Sequence, residues 1–287
     1  MTMDFFLTGL LQGLILALVA YAIMIPFRLL NFPDLTAEGA YPLGGAVCSS
    51  LLLLSVHPLI AVVIASCMTG LMGVATGVIH LRLKVNTLLA GIILSTMMYS
   101  VNLRLMGKPN IALFNTASMF SQSSGLVNML FLLTILMALV LPLALFLRTD
   151  IGLRLRAVGL NQAFARRQGI SVARYTLIGL FISGFFTGVA GGLIVQLQYY
   201  MDVGMGIGIV IHGLAALMLG EAIVGNHTIN RQLIAPLIGA LVYQQIQGVV
   251  LFIGLAPSDL KFFTGGLVLL VIGLQRGTTH KNNGAYQ

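Results

Sequence analysis

The sequence contains no tryptophan, two cysteines and seven acidic residues in a chain of 287. Each shortage closes off a class of protein. Cys48 and Cys67 both lie inside apolar runs, so a disulfide framework is excluded and no metal-ligand spacing exists. Charged residues make up 8% of the chain, against roughly 25% in a soluble domain. There is no Gly-x4-Gly-Lys-Ser/Thr loop, so the chain is not expected to hydrolyse ATP itself. Gly204, Gly206 and Gly208 imitate a glycine-rich loop, yet no lysine follows, and they read as a flexible approach to a span. Neither a Ser-His-Asp order nor His-Glu-x-x-His is present, and His57, His80 and His212 stand on different spans without acidic neighbours in sequence. The chain is not expected to be an enzyme or to bind a metal.

What fills the sequence instead is apolar: 58% of residues, with a mean hydropathy of +1.01. Runs of about 20 apolar residues recur almost end to end, each long enough for a hydrocarbon core of about 30 Å. Spans are expected at about 5–27, 37–56, 58–81, 87–105, 126–147, 175–199, 206–224, 233–255 and 260–274. The fold class is therefore an all-α polytopic membrane protein of about 8–9 transmembrane helices, with one or two broken helices and a short cytoplasmic helix. Residues 1–274 read as one transmembrane domain and 275–287 as a polar tail. The opening MTMDFF, with Asp4 and no basic stretch, does not read as a cleaved signal peptide, so the first span is expected to be kept. The net charge of +8 lies in short loops between spans, where it sets orientation, and nucleic acid is not an expected partner.

The stretch from Thr149 to Arg174, TDIGLRLRAVGLNQAFARRQGISVAR, organises the chain. Arg148, Arg154, Arg156, Arg166, Arg167 and Arg174 face a single acid, Asp150, which fixes this segment on the cytoplasmic side. By alternation, of the 15 basic residues only Arg104, Lys108 and Lys261 then fall outside. The N-terminus lies outside and the C-terminus inside. A basic loop alone is a topology signal. This one also carries helix punctuation: Asn161 is placed to cap a short helix over 162–168, Gly169 to stop it in a left-handed turn, and Ser171 to cap the next span. Ala163, Phe164 and Ala165 form its small apolar face, which suits docking into a partner's groove.

The run RAVGLNQAFARRQGI followed by GLFISGFFTGVAGGLI resembles the cytoplasmic coupling segment and next span of ABC-transporter permeases of the branched-chain amino acid and ribose family. Arg156, Ala157, Gly159, Asn161, Ala165, Gly169, Ala190 and Gly191 carry the match. The resemblance implies that Arg156, Asn161, Ala163, Phe164, Ala165 and Arg167 dock on a separate ATP-binding subunit, which would hold ATP and Mg while this chain holds no cofactor. It implies further partners: an extracytoplasmic substrate-binding protein and a second permease copy, either identical or a paralogue. It also implies residence in the bacterial inner membrane.

The second informative stretch is LLNFPDLTAEGAYPLGGAV, residues 29–47. Pro33 does not fit a helix interior, and Asn31, Asp34, Thr36 and Glu38 gather around it. Two readings follow: an inner loop with Asp34 or Thr36 capping the next helix, or a broken helix whose polar turn lies within the membrane. The resemblance favours the second, because the family has an Asn-Phe break before a glycine-rich helix. A similar break is expected at 220–231, restarting with Pro236. The substrate path is expected to be lined by Asn31, Asp34, Thr36, Glu38, Glu221, Gln244 and Gln245.

Two functional classes remain: the permease subunit of an ATP-driven importer, or a self-contained ion-coupled carrier using Asp34, Glu38 or Glu221. A scaffold or channel subunit is a weaker third. The family takes up amino acids, sugars and nucleosides. An apolar pore and a helix start suited to a carboxylate point to a hydrophobic or aromatic amino acid. NFPDLT also resembles a subgroup linked to tryptophan or similar uptake.

Overall fold

A computed structural model describes residues 2–120, 125–254, 259, 262–266, 269 and 273. Among them, six helical stretches are long and apolar enough to cross a membrane: Phe6–Leu29, Pro58–Leu83, Thr87–Met106, Gly125–Arg148, Val172–Gln198 and Ile229–Phe252. In chain order the helices are α1 (Thr2–Met24), α2 (Ala37–Leu53), α3 (Pro58–Leu83), α4 (Thr87–Met106), α5 (Gly125–Arg148), α6 (Asp150–Leu160), α7 (Gln162–Arg167), α8 (Val172–Gln198), α9 (Ile209–Val224) and α10 (Ile229–Phe252). The chain is thus a polytopic helical membrane protein. The expected last span at 260–274 falls largely outside the described residues, though 262–266 are helical. The tail at 275–287 lies wholly outside them.

Local chemistry sets the helix ends. His57 caps α3, its ring accepting from the Leu59 amide at 3.3 Å, with Pro58 in the first helical position, where no amide is needed. Asn86 caps α4 by accepting from the Leu88 amide at 2.9 Å.

α8 is the hub, packed against α1, α2 and α3 with most of its span buried. Lipid is as apolar as leucine, so close backbone contact has to hold these helices together. The glycine steps at 184, 188 and 192 serve this. A Cβ on Gly184 would stand 3.1 Å from the Gly70 Cα of α3, and one on Gly188 would stand 2.9 Å from the Ser66 Cα. These steps pack within the bundle.

The all-α bundle carries a short ribbon that the sequence did not announce: β1 (Asn110–Ala112) pairs antiparallel with β2 (Tyr200–Asp202), placing Asn110 opposite Asp202, Ile111 opposite Met201 and Ala112 opposite Tyr200. The ribbon ties the connection after α4 to the one after α8. The break expected at 220–231 is narrower, confined to residues 225–228 between α9 and α10. α9 continues through Gly220 to Val224, Gly225 turns with φ +83°, and α10 runs unbroken past Pro236. Gly220 lies against the Ala235 carbonyl and Gly239 against that of Ala216, so these small residues serve α9–α10 packing.

Candidate coupling platform and substrate cavities

The Arg-rich segment folds into two helices. Thr149 caps α6, its hydroxyl accepting from the Gly152 amide at 3.4 Å and donating to the Phe146 carbonyl at 2.7 Å. Gly152, Leu155 and Val158 give α6 a buried face. Asn161 ends α6 in extended backbone and caps α7, its Oδ1 accepting from the Phe164 amide at 2.9 Å. Gly169, at φ +74°, stops α7 in the left-handed region. Ser171 stands at the start of α8, but its side chain makes no capping bond there, contrary to the sequence reading.

The exposed apolar surface also differs from the expected one. Ala163 and Phe164 face out, Phe164 56% exposed, but Ala165 turns inward and is fully buried. On a helix one residue advances the side chain by about 100°, so three consecutive residues do not share a face. Leu160, 88% exposed at the end of α6, extends the patch instead. Arg166 and Arg167 flank it in the open, while Arg156 is half-buried with its Nε unpartnered among the described residues. The sequence reading missed α6 as a helix, although the Thr149 cap and the buried series at 152, 155 and 158 are its signature.

This platform touches the proline-containing break directly. After α1 the backbone widens into one π-type turn over Ile25–Leu29 and then leaves helix geometry until Ala37. Pro26 and Pro33 lack the amides that would sustain a helix here. Gly159 of α6 lies so close to Leu29 and Leu30 that an added Cβ would sit 2.7 Å from the Leu29 carbonyl carbon and 2.9 Å from the Leu30 Cα. The Leu30 side chain in turn fills the space beside Gly179 of α8.

Polar side chains secure the break from three sides. Asp34 Oδ1 accepts from the Thr36 amide at 2.9 Å and from the Thr36 hydroxyl. The Thr36 and Thr76 hydroxyls share a hydrogen bond of 2.7 Å, and Ser95 Oγ donates to the Leu35 carbonyl at 3.1 Å. The Phe32 ring meets the His80 ring edge-on at 5.1 Å. Thr76 is about 10 Å short of the end of α3, at 1.5 Å rise per residue, so the turn is enclosed by α3, α4 and α8. Asp34 closes a local turn, and neither it nor Thr36 caps α2 through a side-chain bond.

The expected path residues are spread along the bundle. Asn31 is exposed with φ +49°, and Asp34 and Thr36 are buried within the break. Glu38 opens into a cavity of about 300 Å³ between α2 and α4. Glu221 is held by Arg28, whose Nε donates to Oε1 at 2.8 Å while its Nη2 contacts Oε2. Gln244 donates to Gln12 at 2.7 Å on the wall of a second cavity, of about 270 Å³, shared with Tyr41, Gln198 and His212. Gln245 bonds the Phe6 carbonyl at 3.2 Å and lies outside that cavity. Gln12, Gln198 and Asn102, which line the two cavities, were not anticipated, because a lone amide within an apolar run gives no sign of which face it occupies. Among the described residues no group of three or more His, Cys, Asp or Glu could hold a metal ion.

Six helices long and apolar enough to cross a membrane accompany a polar-lined break, and a basic platform packs against that break. The chain belongs to the family described as branched-chain amino acid transport system / permease component, whose model matches residues 5–272. It is accordingly a multi-pass inner-membrane transport permease and not a catalytic protein. As a family of ABC transporters, it works through a permease, an ATPase and a binding protein. The chain is 31% identical over 258 residues to a tyrosine transport system permease protein of Clostridioides difficile (strain R20291), covering 90% of this chain and 87% of that one. It is also 31% identical over 280 residues to an uncharacterised protein of Rickettsia prowazekii (strain Madrid E), covering 95% and 97%. In fold it resembles a chain of a metal-chelate type ABC transporter in an inward-facing conformation, with a TM-score of 0.53, 15% identity, and 95% of this chain and 84% of that one covered.

Proposed function

We propose that this chain forms half of the translocation path of an ATP-driven importer for a hydrophobic or aromatic amino acid. The observation that carries this is the contact between Gly159 and the Leu29–Leu30 backbone, which joins the platform to the break. In this reading Leu160, Ala163 and Phe164 seat in a groove of the ATPase, with Arg156, Arg166 and Arg167 around them. ATP draws two ATPase subunits together, α7 and α6 move with them, and the break swings between discrete packings. Asp34, Thr36 and Glu38 then lie beside the moving turn, while the Arg28–Glu221 pair sits near its cytoplasmic end. Eight or nine spans, two of them the short α2 and α9, complete each half. A second copy, identical or a paralogue, supplies the other half, and an extracytoplasmic binding protein delivers the substrate. The tyrosine permease relative supports the aromatic amino acid as cargo.

The test is reconstitution. The chain is purified with its ATPase, placed in liposomes with the binding protein, and supplied with labelled tyrosine, tryptophan and leucine. ATP-dependent uptake is expected, and Phe164→Asp is expected to abolish both uptake and ATPase co-purification. Uptake by the lone chain driven by an ion gradient would overturn this reading in favour of a secondary carrier.

A further inference from the structure

The cavity at Glu38 has a polar group at each end and a ring between them. α4 contributes Ser95, Tyr99 and Asn102, spaced so that all three stand on one helical face. Val203 and Ile207 supply an apolar wall opposite. Gly39 packs against Ser95, so Glu38 marks one end of the cavity. Asn102 lies a further seven residues along α4 and so marks the other end, about 10 Å away at 1.5 Å rise per residue. At about 300 Å³ the space falls at the lower bound for small-molecule pockets, roughly 300–1,000 Å³.

The Asn102 end is short of partners. Asn102 is fully buried, yet among the described residues neither its amide nitrogen nor its amide oxygen has a hydrogen-bond partner. Buried amides are normally satisfied, so one that lines a cavity with both atoms free points to an occupant. Glu38, at the other end, is part-exposed to the cavity; it accepts from the Gly208 backbone amide and forms no ion pair among the described residues. A carboxylate within a membrane helix calls for a cation or water. Tyr99, between the two, offers a half-exposed ring on which an aromatic group can stack.

We propose that this cavity is a membrane-embedded site for a phenolic amino acid. Glu38 takes the ammonium, Tyr99 packs against the aromatic ring, and Asn102 pairs with the phenol hydroxyl. Asn102 is then a specificity-determining residue, because a site built to bond a hydroxyl discriminates strongly against the analogue that lacks it. The inference rests on the importer reading and narrows its cargo.

The test uses the assembled permease–ATPase complex without the binding protein, and equilibrium binding of labelled tyrosine, phenylalanine and N-acetyltyrosine. Wild type is expected to bind tyrosine at least about tenfold more tightly than phenylalanine. Asn102→Leu, close in volume, brings the two within about twofold by weakening tyrosine alone, while Asn102→Gln, which keeps the amide, retains the preference. Glu38→Gln removes the preference for tyrosine over N-acetyltyrosine. Equal loss of both amino acids in Asn102→Leu, or no change in either, overturns the proposal, as does a wild-type complex that binds neither. So does dissociation of the Asn102→Leu complex on gel filtration, which would make Asn102 an assembly contact. If the full system still imports tyrosine with ATP despite such a result, this site fails and the importer reading stands. If no amino acid is imported by the wild type, both fall.

Discussion

Replacing Gly159 with alanine puts a methyl group where backbone already lies. The new carbon would stand 2.7 Å from the Leu29 carbonyl carbon and 2.9 Å from the Leu30 Cα, whereas carbons settle at about 3.5–4.0 Å. Neither neighbour is a side chain that can rotate away, so α6 and the break must separate by roughly 1 Å. Overpacking of this kind costs about 1–3 kcal/mol. If the cost falls on one of two packings that exchange during transport, it shifts their ratio by about 5- to 150-fold. The exposed docking patch of Leu160, Ala163 and Phe164 keeps all its side chains, so ATPase docking and basal hydrolysis are expected to persist while uptake falls about tenfold. The quantity to measure is amino acid taken up per ATP hydrolysed by the reconstituted complex. Gly107→Ala is the control: its φ of +71° strains any side chain, but nothing lies within 4 Å and it follows the end of α4, outside the platform and the break. An unchanged uptake-to-hydrolysis ratio in an assembled Gly159→Ala complex would refute a mechanical link through this contact.

Other expectations follow from the same geometry. The Glu221 side chain is 4% exposed and that of Arg28 41%, so removing the arginine strands the more deeply buried charge. Arg28→Ala is expected to lower thermal stability more than Glu221→Gln, by up to about 3 kcal/mol, with Arg28→Ala/Glu221→Gln recovering part of the loss in a double-mutant cycle. Asn161→Ala removes the bond to the Phe164 amide and should weaken α7 by about 0.5–2 kcal/mol, read as reduced ATPase retention on a tagged permease column. Thr76→Val deletes the hydroxyl partner of Thr36 and should loosen the break by about 1 kcal/mol, seen as faster amide exchange over residues 30–36. Gly239→Val drives a branched side chain into the Ala216 carbonyl, and the folded yield in detergent should collapse.

Composition and punctuation determined much of this protein. Length and hydropathy set a multi-pass helical membrane protein, and Asn161 and Gly169 delimited α7 to within a residue. These are local effects: transfer of a segment into lipid, a cap within reach of its own amides, a backbone angle that suits glycine. The break after Leu29 was legible for the same reason, since Pro33 disrupts a helix whatever surrounds it.

Tertiary structure decided what depends on pairs far apart in the chain. No pattern announced that Glu221 would find Arg28, that Gly159 would abut Leu29, or that the ribbon would join residues 110–112 to 200–202. The break expected across 220–231 proved narrower for this reason. The same glycines and Pro236 serve equally to interrupt a helix or to let two helices approach, and only the facing Ala216 and Ala235 settle which. Asn102 was likewise silent in sequence. An amide in an apolar run acquires meaning from the cavity it faces, and the packing of α4 against α2 and the 203–207 segment creates that cavity.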